Sequence, residues 1–293
     1  MKVLFIFILL FLTGCSVKNK EDINILMPTG APSLAQIKLE NDYKVIDGYN
    51  IKIERVGDPK LLNSAFASLK YDLIYAPINI GVMHYNQNKQ YKVLSSVTNG
   101  NIYFTSKNPL NDINDLNNKD LYLFGQGTIN ESIVNYVLNN NNIKVNIKFL
   151  ASTQDTLKQF VNDKSNSIFL IAEPLLSSKL MNVTHYTLSV NDLLEGLGVD
   201  FIQAALFYKD GLDNHFLNEY YKLLNNSINY VNNDLGVLEI IKNTDIGIPS
   251  NINLDIINKC NIKLSRLNSD ILNKLIDLDP NKFKGKPDEA FYW

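Results

Sequence analysis

Residues 71–77 read Tyr-Asp-Leu-Ile-Tyr-Ala-Pro, and residues 167–174 read Ser-Ile-Phe-Leu-Ile-Ala-Glu-Pro. Each is a short apolar run closed by proline, the pattern of a strand covered on both faces in a parallel sheet. Each also follows a helical stretch. The first helix is opened by Asp58-Pro59, an acceptor followed by proline, and carries an apolar stripe of Leu61, Leu62, Ala65, Phe66 and Leu69. The second is Thr156 to Asn162. Two helix–strand–proline units in one chain suggest two lobes of like architecture.

The flanking sequence continues the alternation. Ile23 to Met27 is a short apolar strand ended by Pro28-Thr29-Gly30-Ala31-Pro32, with a helix from Ser33. Ile51 to Val56 alternates apolar and polar residues like a half-buried strand. Tyr91 to Val97 and Ile102 to Ser106 are extended and are joined by Thr98-Asn99-Gly100-Asn101. Leu121 to Phe124 runs into Gly125-Gln126-Gly127-Thr128, where Thr128 and Glu131 have capping-box spacing ahead of Ile133, Val134, Val137 and Leu138. Phe201 to Phe207 reads as a strand. Mainly helices follow, the clearest bearing Phe216, Leu217, Tyr220, Tyr221, Leu224, Ile228 and Val231. The whole reads as an α/β protein with largely parallel sheets.

The N-terminus carries a different message. After Lys2, Val3 to Leu12 is unbroken apolar sequence, too short to span ~30 Å of hydrocarbon comfortably but suited to an export signal. Leu12-Thr13-Gly14-Cys15 follows and resembles the bacterial lipobox, which implies removal of residues 1–14 and a diacylglyceryl group on Cys15. Such acyl chains would hold the protein to a membrane through residues 15–22 as a tether. The remaining cysteine, Cys260, is then without a disulfide partner and reads as a buried small hydrophobe. With 45% hydrophobic residues the composition is globular, and a net charge of −2 argues against a nucleic-acid partner.

Taken together, several motifs resemble a known family. They are Leu26-Met27-Pro28-Thr29-Gly30-Ala31-Pro32-Ser33, Asp72-Leu73-Ile74-Tyr75-Ala76-Pro77, Asp112-Ile113-Asn114-Asp115-Leu116 with Asn118-Lys119, and Ala172-Glu173-Pro174. In that order and spacing the chain is similar to the periplasmic-binding-protein-like (type II) substrate-binding proteins of the nitrate, sulfonate, taurine and thiamine-precursor group. Asn118 stands where glycine is usual. The resemblance implies two α/β lobes, each a mainly parallel sheet flanked by helices, joined by two hinge crossings. Residues 23–105 and 205–293 would form one lobe and 106–204 the other, with crossings near Ile102–Ser106 and Phe201–Phe207. It further implies a monomer that presents a small-molecule ligand to an ABC permease outside the membrane, with no cofactor and no metal.

In open α/β sheets ligands sit beyond the carboxyl ends of the strands. The residues expected there are Thr29, Gly30, Ala31, Pro32 and Ser33 after the first strand, and Pro77 and Asn79 after the third. Thr98 and Asn99 stand near the hinge, with Gln126, Gly127, Thr128 and Glu173 from the second lobe. Tyr75 and Tyr103 could stack a planar ligand, although core packing is the commoner use of such tyrosines. The two arginines, Arg55 and Arg266, are not obviously at the cleft. Oxyanion sites commonly use a bidentate arginine, so a neutral or weakly charged ligand is expected, a vitamin precursor or other flat heterocycle before a sulfonate or nitrate. Two competing classes are an enzyme of the same fold, akin to those of the menaquinone and pyrimidine pathways, and a surface lipoprotein that binds other proteins. The histidines His84, His185 and His215 lack metal-ligand spacing, and no nucleophile elbow or phosphate-binding loop appears.

Overall fold

The computed structural model describes residues 21–57 and 60–293. The expected export signal, Cys15 and the Asp58-Pro59 helix start lie outside the described residues. The chain opens with β1 (Asp22–Pro28), α1 (Ala31–Asp42), β2 (Val45–Ile46), β3 (Tyr49–Val56), α2 (Lys60–Ser68), β4 (Leu73–Pro77), α3 (Ile78–Asn88) and β5 (Tyr91–Thr98). A second group holds β6 (Ile102–Ser106), β7 (Asp120–Leu123), α4 (Ile129–Asn140), β8 (Asn146–Phe149), α5 (Thr153–Asn162), β9 (Ile168–Ala172), α6 (Leu175–Lys179), β10 (Tyr186–Ser189) and α7 (Val190–Glu195). The last group is β11 (Ala204–Lys209), α8 (Asn214–Asn233), α9 (Val237–Asn243), α10 (Leu254–Lys259), β12 (Ile262–Ser265), α11 (Ser269–Ile276) and α12 (Pro280–Phe283).

The strands form two sheets, one of seven strands in the order β12-β5-β11-β4-β1-β3-β2 and one of five in the order β10-β6-β9-β7-β8. Both are mixed rather than mainly parallel. β1 runs parallel to β3 and β4, and β7 parallel to β8 and β9, as helical crossovers require. β11, which returns from the five-stranded sheet, runs antiparallel to both β4 and β5, and β6 runs antiparallel to β9 and β10. The direction of a strand that arrives from another lobe is set by where the chain enters, which no local pattern records.

Strand alternation builds the core on both faces of the larger sheet. Leu73 and Tyr75 of β4 pack with α1 and α8, while Ile74 and Ala76 join the core under α2 and α3. The α8 stripe is buried as expected except for Tyr221, which is partly exposed. In α2, Leu62, Ala65 and Phe66 are buried, but Leu61 is 49% exposed. Asn118 adopts φ +60°, the left-handed conformation that glycine enters most freely and asparagine tolerates.

The crossings are shorter than the sequence suggests. Ile102–Ser106 belongs wholly to the five-stranded sheet, so the outward crossing is residues 99–101 and the boundary falls before 102, not at 106. On the return, β11 begins at Ala204, and Phe201, Ile202 and Gln203 precede it. Gly100 in the outward crossing has φ +82°, and a Cβ there would lie 2.4 Å from the Phe201 ring of the return crossing. Further along, α12 packs on α3, while Asp279 and Lys282 reach α4 by a 2.8 Å bond from Ser132 and a 3.3 Å ion pair with Glu131.

Candidate functional site

A cavity of about 290 Å³ opens among the loops that follow β1, β4, β5, β7, β8 and β9, together with the return crossing. Such a volume is near the small end of ligand sites. Its lining follows from strand polarity: every parallel strand delivers its carboxyl end to the same side of its sheet, and the two sheets turn those ends toward one another.

The loop after β1 contributes Pro28, Thr29, Gly30, Ala31 and Pro32. Its geometry is tightly fixed. The Thr29 N–H donates to the Val56 carbonyl at 3.0 Å and the Gly30 N–H to that of Ile246 at 2.7 Å. Gly30 adopts φ 96°, ψ −150°, a region essentially restricted to glycine. Proline at the second position of α1 has no N–H, so the Ala31 amide is the one this turn presents at the head of the helix. Gly247 and Pro249 close over the same turn, and a Cβ on Gly247 would come within 2.8 Å of Thr29 Cβ.

From the other lobe come Phe124, Gly125, Thr128, Ile129 and Asn130, then Thr153 and Gln154 at the head of α5, and Ala172, Glu173, Pro174 and Leu175 after β9. Thr128 accepts from the Asn130 N–H at 3.3 Å and donates to the Gly125 carbonyl. Glu131 accepts from the Gly127 N–H at 2.7 Å instead of reaching the Thr128 backbone, so the expected capping box is displaced by one residue. The Gly127 amide is thereby committed within its own turn.

Of the residues expected at the site, Thr29, Gly30, Ala31, Pro32, Pro77, Thr98, Thr128 and Glu173 line the cavity. The other five do not. The Ser33 hydroxyl turns back to the Pro28 carbonyl at 2.8 Å, and Asn79 is buried in the first turn of α3. Asn99 donates to the Lys263 carbonyl at 3.0 Å, which anchors the outward crossing, and Gln126 and Gly127 are exposed. Tyr75 is core, bonded to Gln36 at 2.9 Å, and Tyr103 reaches the Lys259 carbonyl; neither lines the cavity, where Phe124 is the one aromatic among the described residues. Burial pushes the Tyr103 hydroxyl up to about 12.

Sequence reading missed an amide relay between the two crossings. Gln203 Oε1 accepts from the Asn101 N–H at 3.1 Å, and Gln203 Nε2 donates to Asn130 Oδ1 at 3.4 Å. Asn101 in turn exchanges bonds with the Glu173 backbone, donating from Nδ2 at 2.8 Å and accepting the Glu173 N–H at 2.9 Å. The residues that tie both crossings to β9 and α4 thus form part of the cavity wall.

The site is nearly free of charge. Among the described lining residues Glu173 is the single titratable side chain, and both its oxygens are engaged by Ser177, the N–H at 3.0 Å and the hydroxyl. Arg55 lies elsewhere: its guanidinium is held by Glu40, with Nε donating to Ser33 at 3.3 Å. Arg266 stacks over Trp293, 4.2 Å from the ring centroid. Cys260 is buried, and burial pushes its thiol well up. No group of three or more candidate metal ligands occurs among the described residues, and none of their helices is long and apolar enough to cross a membrane.

No protein-family model matches the sequence, and no curated protein matches it. Solved structures do. An ABC transporter protein from Parabacteroides distasonis superposes with a TM-score of 0.80 at 18% identity, over 93% of this chain and 98% of that one. The periplasmic aliphatic sulphonate binding protein SsuA from Escherichia coli gives 0.73 at 11% identity, covering 94% and 92%. This is the type II periplasmic-binding-protein fold. The ligand binding component of an ABC-type import system from Staphylococcus aureus, solved with zinc bound, shares it at a TM-score of 0.67 and 14% identity, covering 94% and 97%. The cavity lies between the loops of the two sheets.

Proposed function

We propose that the chain is the substrate-binding component of an ABC-type importer, and that its cargo is a small molecule without strong negative charge. The observation that carries this reading is the cleft wall: threonine hydroxyls, side-chain amides and one helix-head amide, with no lysine or arginine among the described lining residues. Closure of two lobes on a ligand is selected only when that ligand touches both. The wall supplies groups from both sheets' loops, and the amide relay spans the two crossings. Acid–base catalysis needs convergent titratable groups, and among the described lining residues Glu173 is the one carboxylate, its oxygens already bonded.

The same reading places the protein on the extracytoplasmic face of a membrane, anchored by a lipidated Cys15, with residues 99–101 and 201–203 serving as the hinge and a permease as partner for the closed form. A heterocyclic vitamin precursor is the first cargo class to test, ahead of sulfonates and nitrate.

A thermal-shift screen of the full-length chain in detergent tests the reading. The panel is thiamine precursors, pyrimidines, flavins, amino acids, sulfonates and nitrate. A true cargo stabilises the native state by RT ln(1 + [L]/Kd), about 2.7 kcal/mol at one hundred times Kd. Tight, selective binding of a simple sulfonate that depends on Arg55 would overturn the choice of cargo. Turnover of a bound compound would overturn the transport role. Release of Cys15→Ala protein from the membrane fraction is the expected sign of the anchor.

A further inference from the structure

Asn101 brings a buried polar atom without a partner among the described residues to the cavity wall. It is 5% exposed, and three of its hydrogen-bonding groups are committed: its N–H to Gln203, its carbonyl to the Glu173 N–H, and its Nδ2 to the Glu173 carbonyl. The fourth, Oδ1, is buried and has no partner among the described residues. The orientation of this amide follows from chemistry. Turning it over would set Oδ1 against the Glu173 carbonyl, acceptor against acceptor. Thr98, 1% exposed at the end of β5, has an equally unpartnered hydroxyl. Both residues line the cavity. Buried polar groups are paired in folded proteins because leaving them bare is costly, so two such groups in one cavity wall point to its contents.

We propose that Asn101 and Thr98 set the polarity of the cargo, which is an uncharged molecule that brings an N–H or O–H donor to Asn101 Oδ1. The inference rests on the solute-binding reading above. Oδ1 can only accept, whereas the Thr98 hydroxyl can donate or accept to the neighbouring part of the same molecule. Sulfonate, nitrate and carboxylate ions present acceptors alone. Beside Asn101 they would place oxygen against oxygen, with no cation among the described lining residues to offset the burial of their charge. The edge of an amide, urea or lactam, or an alcohol, presents the required donor. Water can serve Oδ1 when the cleft is empty, and a molecule that displaces it gains only by replacing its bond. Asn101 is thereby a specificity-determining residue.

Matched probes test this on the full-length chain in detergent. Uracil is compared with 1,3-dimethyluracil and 2-pyrrolidinone with N-methyl-2-pyrrolidinone, with methanesulfonate and nitrate as anions, by calorimetry and thermal shift. Any small molecule released when the purified protein is denatured is identified by mass spectrometry. The donor-bearing member of a pair is expected to bind about tenfold tighter than its methylated partner, with the preference lost in Asn101→Leu. Thr98→Val keeps the side-chain shape, so it should stay folded, melt higher than wild type without ligand, and bind the same probe several-fold more weakly. Equal binding of both members of a pair, or an anion bound as tightly as any donor probe, overturns the assignment and leaves the solute-binding reading standing. If no probe binds, the released molecule decides: an uncharged donor supports the assignment and an anion overturns it. No binding and no released molecule overturn the solute-binding reading, and this inference with it.

Discussion

Gln203 accepts the main-chain N–H of Asn101 at 3.1 Å, so one side chain on the return crossing satisfies the backbone of the outward crossing. The contact joins two segments that are distant in sequence and adjacent where the chain passes between the two sheets. Gln203→Leu leaves that N–H without its acceptor, at a cost of about 1–3 kcal/mol in unfolding free energy. Gln203→Glu keeps an acceptor in place and should lose less. Urea unfolding of the two variants gives the comparison; equal losses would mean that the bond contributes nothing.

Arg55 offers the sharpest contrast between stability and binding. Its guanidinium bonds Glu40 beneath α1 and lies away from the cleft, with the two side chains 14% and 22% exposed. Arg55→Ala should destabilise the fold by about 1–3 kcal/mol, since charge-assisted bonds with little solvent access exceed ordinary surface pairs. Ligand affinity should stay within about twofold, because the pair lends the cleft no charge. Calorimetry on the same samples separates the two effects.

Gly81 sits inside α3, where alanine normally favours a helix by about 1 kcal/mol. Here a Cβ would fall 2.0 Å from Phe207 Cζ of β11. Gly81→Ala should therefore destabilise by about 1–3 kcal/mol, reversing the propensity gain. Combining it with Phe207→Leu, which removes the clashing atom, should cost less than the two single changes added together. Additive losses would show that the close approach is not the cause.

His84 stacks on Phe66, with ring centroids 5.0 Å apart and planes 12° apart, and a ring nitrogen lies 3.3 Å from Asn63 Oδ1. Burial holds its imidazole below the ordinary value of 6.5. Below 6.5 the unfolded chain takes up the proton before the native state does. The contribution of this group is complete above that pH and is lost as the pH falls through the folded value. Wild type should lose stability faster than His84→Gln on acidification below 6.5, measured by urea midpoints at a series of pH values. Parallel curves would remove His84 from the acid response.

The parts of the fold legible in the sequence are those where burial follows a period. β4 and β9 are apolar runs closed by proline, and the helix stripes of α4 and α8 are buried almost as written. Glycine, proline and threonine mark the turns after β1 and β7, and the cleft draws Thr29 to Pro32 and Thr128 from those turns. The amides that join the two crossings carry no such mark. Asparagine is so common in this chain that Asn101 and Asn130 do not stand out, and Gln203 hides at the edge of an apolar run. Their role comes from contacts across the two crossings, which local sequence does not encode. Glu131 shows the same limit: its spacing announces a cap, but its carboxylate chooses the Gly127 N–H, one residue earlier.

The place of β11 between β4 and β5 has a consequence for the order of events at the ribosome. Strands β6 to β10 are contiguous in the chain, so the smaller sheet has all its members once residue 189 has emerged. The larger one does not, because the slot between β4 and β5 stays empty until Ala204 to Lys209 is made. During that interval β4, paired on one side with β1, has one open edge and β5 has no strand neighbour, a state that invites association with other nascent chains. The half of the protein that begins first is the half that must finish last.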